Sequence, residues 1–378
     1  MTEYTEINNK IEFDKLITYT YDKSLKNLEF SHYKFLFPIN ISETLNSVSF
    51  NNCIFTEDVQ FSSTFNLDAT FRQTIFEKIA DFSNCHFKGK TRFHTIEFKE
   101  TANFHNTKFD DLSDFWGSKF FQPIIFYKTD FLGITVFSRT EFKENVLFTY
   151  SLINKIIIFR GTIFNKGLDL SLTILNGNFN VFDIRLDNFN SEDQNYNEDD
   201  YDDFVPESAV IPEKNKRETF RLIKKQLQNQ GNQIDSLIYS NLEIKTYYKQ
   251  LKRQVFKEFK IKNRIQNYII LELNYLSNKN GKSWFRAIVF TFTIGFLFFY
   301  LSIISTNNYS IGWDNISWDN FNECIKLYFT FMTPTHKVEY LDYLGSTSLT
   351  YVSDFIGRTF IAYGIYQTIQ AFRKFKGN

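Results

Sequence analysis

Large apolar residues recur at alternating steps of five and six through the middle of the chain. From residue 71 to residue 175 these steps mark twenty positions, and seventeen of them hold Phe. A helix places its core residues three and four apart, so this spacing disfavours a helix and predicts short β-segments. The twenty positions fall into four series: Phe71, Phe93, Phe115, Phe137 and Phe159; Phe76, Phe98, Phe120, Phe142 and Phe164; Phe82, Phe104, Phe126, Phe148 and Leu170; Phe87, Phe109, Phe131, Ile153 and Leu175.

A second regular position lies two residues before each large one. Sixteen of these twenty positions hold Ala, Ser, Thr, Cys or Val, as at Ala69, Thr74 and Cys85. The repeating unit is therefore small-x-large.

This unit, as in ADFSNCHFKGKTRFHTIEF, resembles the pentapeptide repeat family in its Phe-centred variant with an extra residue in alternate units. The resemblance implies a right-handed quadrilateral β-helix whose coils hold four short β-segments and about 22 residues. It also implies that the large and small positions point inward, so that each series above forms one internal column. The columns predict a stack of aromatic rings that fills the solenoid.

The repeat has degenerate ends. Phe50, Phe55, Phe61 and Phe65 continue it upstream with one slipped residue. Terminal repeats of a solenoid are usually atypical because they cap an open core. We therefore assign residues 1–48 to an N-terminal cap with degenerate repeats and 49–182 to the β-helix.

An acidic stretch follows the repeat. Residues 183–207 contain ten acidic side chains and one basic one, Arg185. Such a run is typical of a solvated linker, which we assign to 183–212, and the alternative is an acidic docking site.

Helical periodicity begins near residue 213. Phe220, Ile223 and Leu227 share one face of a predicted helix, and Gly231-Asn232 ends it before a second helix. We interpret residues 213–280 as a basic helical hairpin. Because a span follows directly, its cations are candidates for contact with anionic lipid headgroups: Lys249, Lys252, Arg253, Lys257, Lys260 and Arg264.

Residues 281–378 predict a transmembrane hairpin with a short re-entrant or interfacial helix. The 21 residues from Trp284 to Ile304 carry one charge, Arg286 at the edge, and are long enough to span a bilayer. A second, weaker candidate covers 351–372 and contains Asp354 and Arg358. Basic residues before Trp284 and at the chain's end, with acidic residues between the spans, predict a multi-pass inner-membrane protein with both termini cytoplasmic.

The second span carries a stripe of small residues. Gly357, Gly364 and Ala371 recur every seven residues, which allows another helix to approach closely. This pattern predicts a homo-oligomer. Asp354 and Arg358 lie four apart on one face and can pair, either as a structural pair or beside a pore.

The order of a span, a short helix, a loop and a span resembles two-helix cation channels across residues 284–372. The resemblance includes the rhythm of KLYFTFMT but departs after Thr333, where Pro334-Thr335-His336 replaces a TVGYG-type filter. It therefore implies a degenerate channel-like segment, which is either a less selective pore or an inert anchor.

The composition limits which chemical sites the chain can be expected to hold. The chain holds 46 Phe, a formal net charge of zero and three cysteines, Cys53, Cys85 and Cys324, with no CxxC pair. Neither a disulfide framework nor a zinc site is expected. The N-terminus lacks the basic and apolar regions of a signal peptide, so we expect that part to stay in the cytoplasm.

No catalytic motif appears in a suitable context, so we expect no enzyme activity, cofactor or metal. His94 and His105 are eleven residues apart but half a coil apart in the implied solenoid, and should face opposite sides. Some pentapeptide repeat proteins imitate DNA and inhibit topoisomerase through an acidic surface. Residues 51–180 hold fourteen acids and fourteen Lys or Arg, which disfavours that role and any nucleic-acid partner.

Two function classes remain. The first is a non-catalytic, membrane-anchored protein whose cytoplasmic β-helix binds an unknown protein partner or senses a signal, carried on an oligomerising two-span segment. The second is a pore-forming or channel-like effector that the repeat domain gates.

Overall fold

The computed structural model of the chain describes residues 4–20, 27–186, 189, 209–256, 264–307 and 318–373. The chain divides into two compact units, Met1–Thr246 and Tyr247–Asn378. The first is a parallel β-solenoid with helices at its ends, and the second is helical.

The solenoid has four faces of short parallel strands; three faces are single ladders, and the third is divided into two ladders between β15 and β19. The first face contains β2 (Asn27–Ser31), β5 (Ser47–Asn51), β9 (Ala69–Arg72), β13 (Thr91–Arg92), β17 (Ser113–Asp114), β21 (Thr135–Val136), β25 (Ile156–Ile158) and β29 (Asn178–Asn180). The second contains β1 (Thr5–Ile7), β3 (Tyr33–Phe35), β6 (Ile54–Phe55), β10 (Ile75–Phe76), β14 (Glu97–Phe98), β18 (Lys119–Phe120), β22 (Glu141–Phe142) and β26 (Ile163–Phe164). The third contains β4 (Ile39–Ile41), β7 (Val59–Phe61), β11 (Ala80–Asp81), β15 (Ala102–Asn103), β19 (Ile124–Ile125), β23 (Val146–Leu147) and β27 (Leu168–Asp169). The fourth contains β8 (Thr64–Phe65), β12 (His86–Phe87), β16 (Lys108–Phe109), β20 (Asp130–Phe131), β24 (Leu152–Ile153) and β28 (Ile174–Leu175).

The predicted internal columns are confirmed. Phe76 pairs with Phe98 and Phe98 with Phe120, one coil apart. The rings of Phe93, Phe115 and Phe137 stack with centroids 4.8 Å apart at both steps. Each Phe of the four series is buried. Burying a Phe contributes about 1.5–3 kcal/mol, so the repeated columns are the main source of stability in this unit.

Two of the four corners use a five-residue step. At one of them the amide of Thr107 donates to the carbonyl of Phe104 at 3.2 Å, and Asn106 between them has φ 54°. This is a tight turn with a left-handed third residue, a position that Asn and Gly favour.

The small residue at these corners also joins one coil to the next. Thr107 Oγ1 donates to the carbonyl of Phe82 at 2.7 Å. The same bond to the preceding coil is made by Thr74, Thr129, Thr140, Thr162 and Thr173, and by Ser118 and Ser151. A hydroxyl therefore does more at this position than leave room for the ring.

The corner between the fourth and first faces holds glycine in every second coil, at Gly89, Gly133 and Gly177. A Cβ on Gly133 would overlap the backbone of Asp111 in the preceding coil. The close approach of neighbouring coils requires glycine at that position.

The strand ladder begins upstream of the range assigned to the β-helix. Strand β2 pairs with β5, aligning Phe30 with Phe50, and β3 pairs with β6, aligning Phe35 with Phe55. Helix α1 (Lys10–Thr20) closes this end, because Phe13 is buried and stacks on Phe30 at 5.7 Å. Residues 27–45 thus form a coil beneath a helical cap.

A helix also closes the far end of the solenoid. Helix α2 (Glu213–Asn229) inserts Ile223 and Leu227 into the solenoid core. Its Asn215 donates to Asp169 Oδ2 at 2.8 Å, and its Thr219 hydroxyl accepts from the Leu170 amide at 2.9 Å.

Helix α3 (Gln233–Phe256) follows the predicted break at Gly231. Tyr239 and Leu242 of α3 pack against a cluster on the third face that contains Ile125 and Leu147. Most of the predicted acidic linker lies outside the described residues.

The second unit contains helices α4 (Ile265–Asn278), α5 (Trp284–Ile304), α6 (Trp318–Phe331) and α7 (Ser348–Arg373), with a 3-10 helix at Val338–Leu344. The sequence had assigned residues 213–280 to a two-helix hairpin. The structure has a third helix there, α4, whose Tyr268 stacks on Tyr248 of α3 at 5.6 Å. Helices α5 and α7 form the most extensive helix pair of the unit.

Candidate functional site

Helices α5 and α7 expose many of their large apolar side chains. Phe285 and Phe296 of α5 are 64% and 60% exposed, and Phe355 and Tyr366 of α7 are 72% and 60% exposed. Among the described residues one helix, α5, is long and apolar enough to cross a membrane, and a third of its apolar stretch is buried. The core helix of a water-soluble domain would be mostly buried.

Polar side chains lie inside the same bundle, next to a buried apolar cluster that contains Phe299 and Ile361. Asp354 is 1% exposed and Gln367 is 3% exposed. The other buried polar residues of α5 and α7 are Thr291, Ser302, Thr350 and Ser353. This distribution is the reverse of that expected for helices that face water.

The small-residue stripe of α7 faces other helices of the same chain. Gly357, Gly364 and Ala371 are all buried. A Cβ on Gly364 would overlap the side chain of Thr291 in α5. A Cβ on Gly357 would meet Phe298 of α5 and Phe331 of α6. The predicted close helix approach is therefore present, and it is intramolecular; the oligomer stays a prediction.

A buried charge cluster joins α7 to the connection that follows α6. Oδ2 of Asp354 accepts from Nε of Arg358 at 2.6 Å and also from its Nη2. Oδ1 of Asp354 lies 2.8 Å from Nε2 of His336, and these two side chains are 2% and 3% exposed. Nδ1 of His336 lies 2.7 Å from the carbonyl oxygen of Thr333.

The sequence predicted the Asp354–Arg358 pair but not its third member. In the sequence, His336 lies where the chain departs from a channel filter, and eighteen residues separate it from Asp354. No short-range spacing signals this contact, because it depends on how the 3-10 helix folds back.

An amide network ties α4 to α7. Asn274 Oδ1 accepts from the hydroxyl of Tyr363 and from Nε2 of Gln367, both at 2.8 Å. Asn278 donates to Gln367 Oε1 as well. This network uses the polar groups of α7 that a lipid environment could not solvate.

The structure describes four of the six residues that the sequence predicts to contact lipid headgroups. Lys249 and Lys252 are exposed on α3, and Arg253 and Arg264 are half-buried. Lys257 and Lys260 lie outside the described residues. Arg286, predicted to reach the edge of the first span, donates from Nε to the carbonyl of Leu276 in α4 at 3.0 Å.

Helix α6 packs beside α5 and leaves an apolar face open. The Tyr328 hydroxyl of α6 donates to the carbonyl of Phe292 in α5 at 2.8 Å. Phe321, Ile325 and Phe329 are exposed. Helix α6 therefore has an exposed apolar strip along these residues.

Trp116 is an exposed aromatic side chain on the solenoid surface. Trp116 is 40% exposed beside the first face, with the His94 ring 6.1 Å away in edge contact. His94 Nε2 lies 2.6 Å from Asp114 Oδ2, whereas His105 lies beside Tyr127 at 5.6 Å. Within the described residues, no group of three or more His, Cys, Asp or Glu side chains could hold a metal ion.

The solenoid cysteines serve as small inward residues. Cys85 Sγ donates to the carbonyl of Phe61 at 3.0 Å. Burial raises the pKa of the Cys85 thiol to about 12 and that of Cys53 to about 11. Both groups therefore remain protonated thiols at neutral pH, and a thiolate is the reactive form.

Neither a protein-family model, nor a curated protein, nor a solved structure matches the chain.

Proposed function

We propose that this chain is a non-catalytic membrane protein in which α5 and α7 span an inner membrane and the solenoid is a protein-interaction or sensing module. The observation that carries the proposal is that α5 and α7 bury polar side chains and expose aromatic ones. A bilayer favours this distribution because it solvates apolar surface and penalises unpaired polar groups.

The length and environment of α7 support a second span. Its 26 residues would extend about 39 Å, and the hydrocarbon core of a bilayer is about 30 Å thick. Asp354 and Arg358 are paired with each other, which lowers the cost of their charges beneath an apolar exterior.

The proposed topology places both termini in the cytoplasm. It rests on the cations that precede Trp284 and follow α7 in the sequence, and on the acidic excess between the spans. Trp284 and Phe372 stack at 5.4 Å, which supports one shared membrane interface at those ends of α5 and α7.

The solenoid supplies a rigid surface for a partner. Its aromatic columns fix the backbone, and Trp116 is the kind of exposed aromatic anchor that dominates protein interfaces. The proposed oligomer would use a surface other than the small-residue stripe. The exposed apolar side chains of Ile325 and Phe329 on α6 suit that contact better.

Alkaline extraction of membranes tests the attachment. The full chain should resist extraction and dissolve in detergent. Phe296→Arg should weaken insertion by about 2.5–3.5 kcal/mol, because it places a charge on the outward face of α5. Ile134→Arg on the exposed solenoid surface is the matched control and should change nothing. Release of the unaltered chain by alkali would contradict the proposal.

Cross-linking in cells followed by mass spectrometry tests the interaction module. Trp116→Ala should reduce the yield of the partner cross-link, and Ile134→Ala should not. Equal yields for both variants would remove Trp116 from the proposed surface.

A channel-like function is the second candidate. It is favoured by the order of α5, α6 and α7, and by the packing of α6 against α5 at Tyr328. Ion flux into liposomes that contain the full chain tests it. The absence of flux at every voltage and salt gradient would exclude a pore and leave the anchored interaction protein.

A further inference from the structure

A cavity of about 430 Å³ lies at the far end of the solenoid, where α2 and α3 close the last coil. Its wall comes from the coil segment 181–186, from Leu227 of α2 and from the part of α3 between residues 235 and 242. The wall residues Phe182 and Ile238 are 63% and 54% exposed, so the cavity is accessible from solvent. Pockets that bind small molecules usually have volumes of about 300–1,000 Å³, and this cavity falls within that range.

Core packing fixes both sides of the cavity. Val181 and Leu227 are buried members of the solenoid core. Tyr239 and Leu242 pack against the cluster on the third face that contains Ile125. The cavity is therefore a preformed feature of the fold, as small-molecule sites usually are.

The wall combines an apolar surface with two carboxylates. Eight of its ten residues are aliphatic or aromatic, and the other two are Asp183 and Asp235. Oδ2 of Asp235 accepts from Nδ2 of Asn232 at 2.7 Å, which holds that carboxylate at the start of α3. Within the described part of the chain, neither carboxylate forms an ion pair. The charge of this wall is therefore negative and uncompensated.

The backbone presents Asp183 at a tight corner. Its φ is 57°, and Gly161 has φ 66° at the same place in the preceding coil. The amide of Ile184 donates to the carbonyl of Val181 at 3.5 Å across this turn. Asp tolerates the left-handed conformation better than most residues, so its carboxylate can occupy a corner that glycine would otherwise suit.

The cation near the cavity lies outside its wall. The guanidinium carbon of Arg160 lies 5.9 Å from the ring centroid of Phe182. Arg160 belongs to the preceding coil and is not part of the wall. Asp183 and Asp235 thus remain the charged groups that line the cavity.

The sequence that follows the wall adds negative charge. Residues 187–208 begin directly after Leu186 of the wall and contain nine acidic residues and no Lys or Arg. Coulomb repulsion from Asp183 and Asp235 disfavours this segment as the occupant of the cavity. A cluster of like charge also attracts a ligand of the opposite sign. The occupant that fits is therefore a cation from outside the chain.

We propose that this cavity binds a small ligand that combines an apolar group with a positive charge, of the chemical class of arylalkyl amines. The apolar group contacts Leu227, Ile238 and Leu242, and the ammonium group faces Asp183 and Asp235. This site lies within the first unit and goes beyond the proposed membrane and interaction roles.

Photolabelling of the full chain in detergent with three benzophenones tests the site. The probes are 4-(aminomethyl)benzophenone, 4-(hydroxymethyl)benzophenone and 4-benzoylbenzoate, which share one ring system and differ in charge. Mass spectrometry of proteolytic peptides locates the label, and division by the yield on α5 corrects for probe dissolved in the micelle. The amine should label residues 181–186 or 235–242 about tenfold more than the carboxylate does, because a hydrogen bond to a charged group stabilises the complex.

Two variants separate the charge of the site from its shape. Asp183→Asn accepts the same left-handed backbone and should lower labelling by the amine several-fold while leaving labelling by the alcohol unchanged. Asp111→Asn, at an exposed corner elsewhere on the solenoid, is the matched control and should change neither. Ile238→Trp should reduce labelling by both probes because it fills the cavity. Ile234→Trp, which is 68% exposed and outside the wall, should not.

Three results would contradict the proposal. The first is equal labelling of the cavity by the amine and the carboxylate. The second is a preference for the amine that Asp183→Asn leaves unchanged. The third is amine labelling confined to residues 190–208, which would assign the attraction to the acidic segment instead of the cavity. None of these readouts depends on ion flux or on a protein partner, so they can fail while the proposed membrane function stands.

Discussion

Many aromatic residues and some charged ones take opposite positions in the two units. In the solenoid, Phe115 and the other Phe residues of the columns are buried, and charges such as Glu97 and Lys119 pair on the surface at 3.0 Å. In the helical unit, Phe355 is 72% exposed and Asp354 is 1% exposed.

This reversal shows that a high apolar content has two different uses in one chain. The solenoid removes its columns of aromatic rings from water within its own core. The helical unit buries Phe299 and Phe331 but leaves many other aromatic rings outside, where water would not favour them. We infer from this contrast that the helical unit functions in an apolar surround.

The same substitution in the two units should give the largest contrast. Phe115→Ala removes a ring stacked between two others at 4.8 Å and should destabilise the solenoid by about 3–5 kcal/mol. Phe355→Ala should change the stability of the reconstituted helical unit by less than about 0.5 kcal/mol. Hydrogen-exchange protection of each unit measures both effects, and similar losses would break the comparison.

The next largest effect is expected at the contact of α5 and α7. Gly364→Leu forces a side chain against Thr291 and should destabilise the helical unit by about 1–3 kcal/mol. The neighbouring substitution Ile365→Leu faces outward and serves as the control. Unfolding in mixed detergent micelles measures the difference. An unchanged midpoint for Gly364→Leu would show that the stripe does not pack within the chain.

A smaller effect should follow loss of one hydroxyl bond between coils. Thr107→Val keeps the shape of the buried side chain but removes its bond to the Phe82 carbonyl, at a cost of about 0.5–1.5 kcal/mol. Thr101→Val, on the exposed surface, should be nearly neutral. The urea midpoint of the solenoid separates the two variants, and equal midpoints would mean that Thr107 acts by size alone.

The smallest effect is expected on the solenoid surface. Glu97→Gln removes one partner of the ion pair with Lys119, which solvent screens, and should cost less than about 1 kcal/mol. The cost should shrink further in high salt. Chemical denaturation at two salt concentrations checks both points, and a larger cost that persists in salt would contradict this view of the surface.

The solenoid was largely predictable because its signal is local and repeated. The spacing of the Phe residues gave the columns, and the structure confirms their register at Phe76 and Phe98. The first coil was less visible, because the spacing there is twenty residues, as between Phe30 and Phe50. No repeat in the sequence predicts helix α1.

The helical unit was less predictable because its contacts join distant residues. The sequence marked Gly364 as a helix-packing position but could not show that the partner helix is α5 of the same chain. It marked Asp354 and Arg358 by their spacing. It missed His336 and the network of Asn274, since tertiary packing alone brings those side chains to α7.

Collision accessibility of spin labels in the reconstituted full chain tests the central claim most directly. The exposed Cys324 is first replaced in a Cys324→Ser background. A spin label is then attached to one new cysteine in each of three variants: Phe296→Cys, Phe355→Cys and, as the solenoid reference, Ile134→Cys. The account predicts that dissolved oxygen relaxes the first two labels more strongly than a water-soluble nickel complex, and that the order reverses at residue 134. Relaxation dominated by the nickel complex at residues 296 and 355 would place those faces in water and contradict the account.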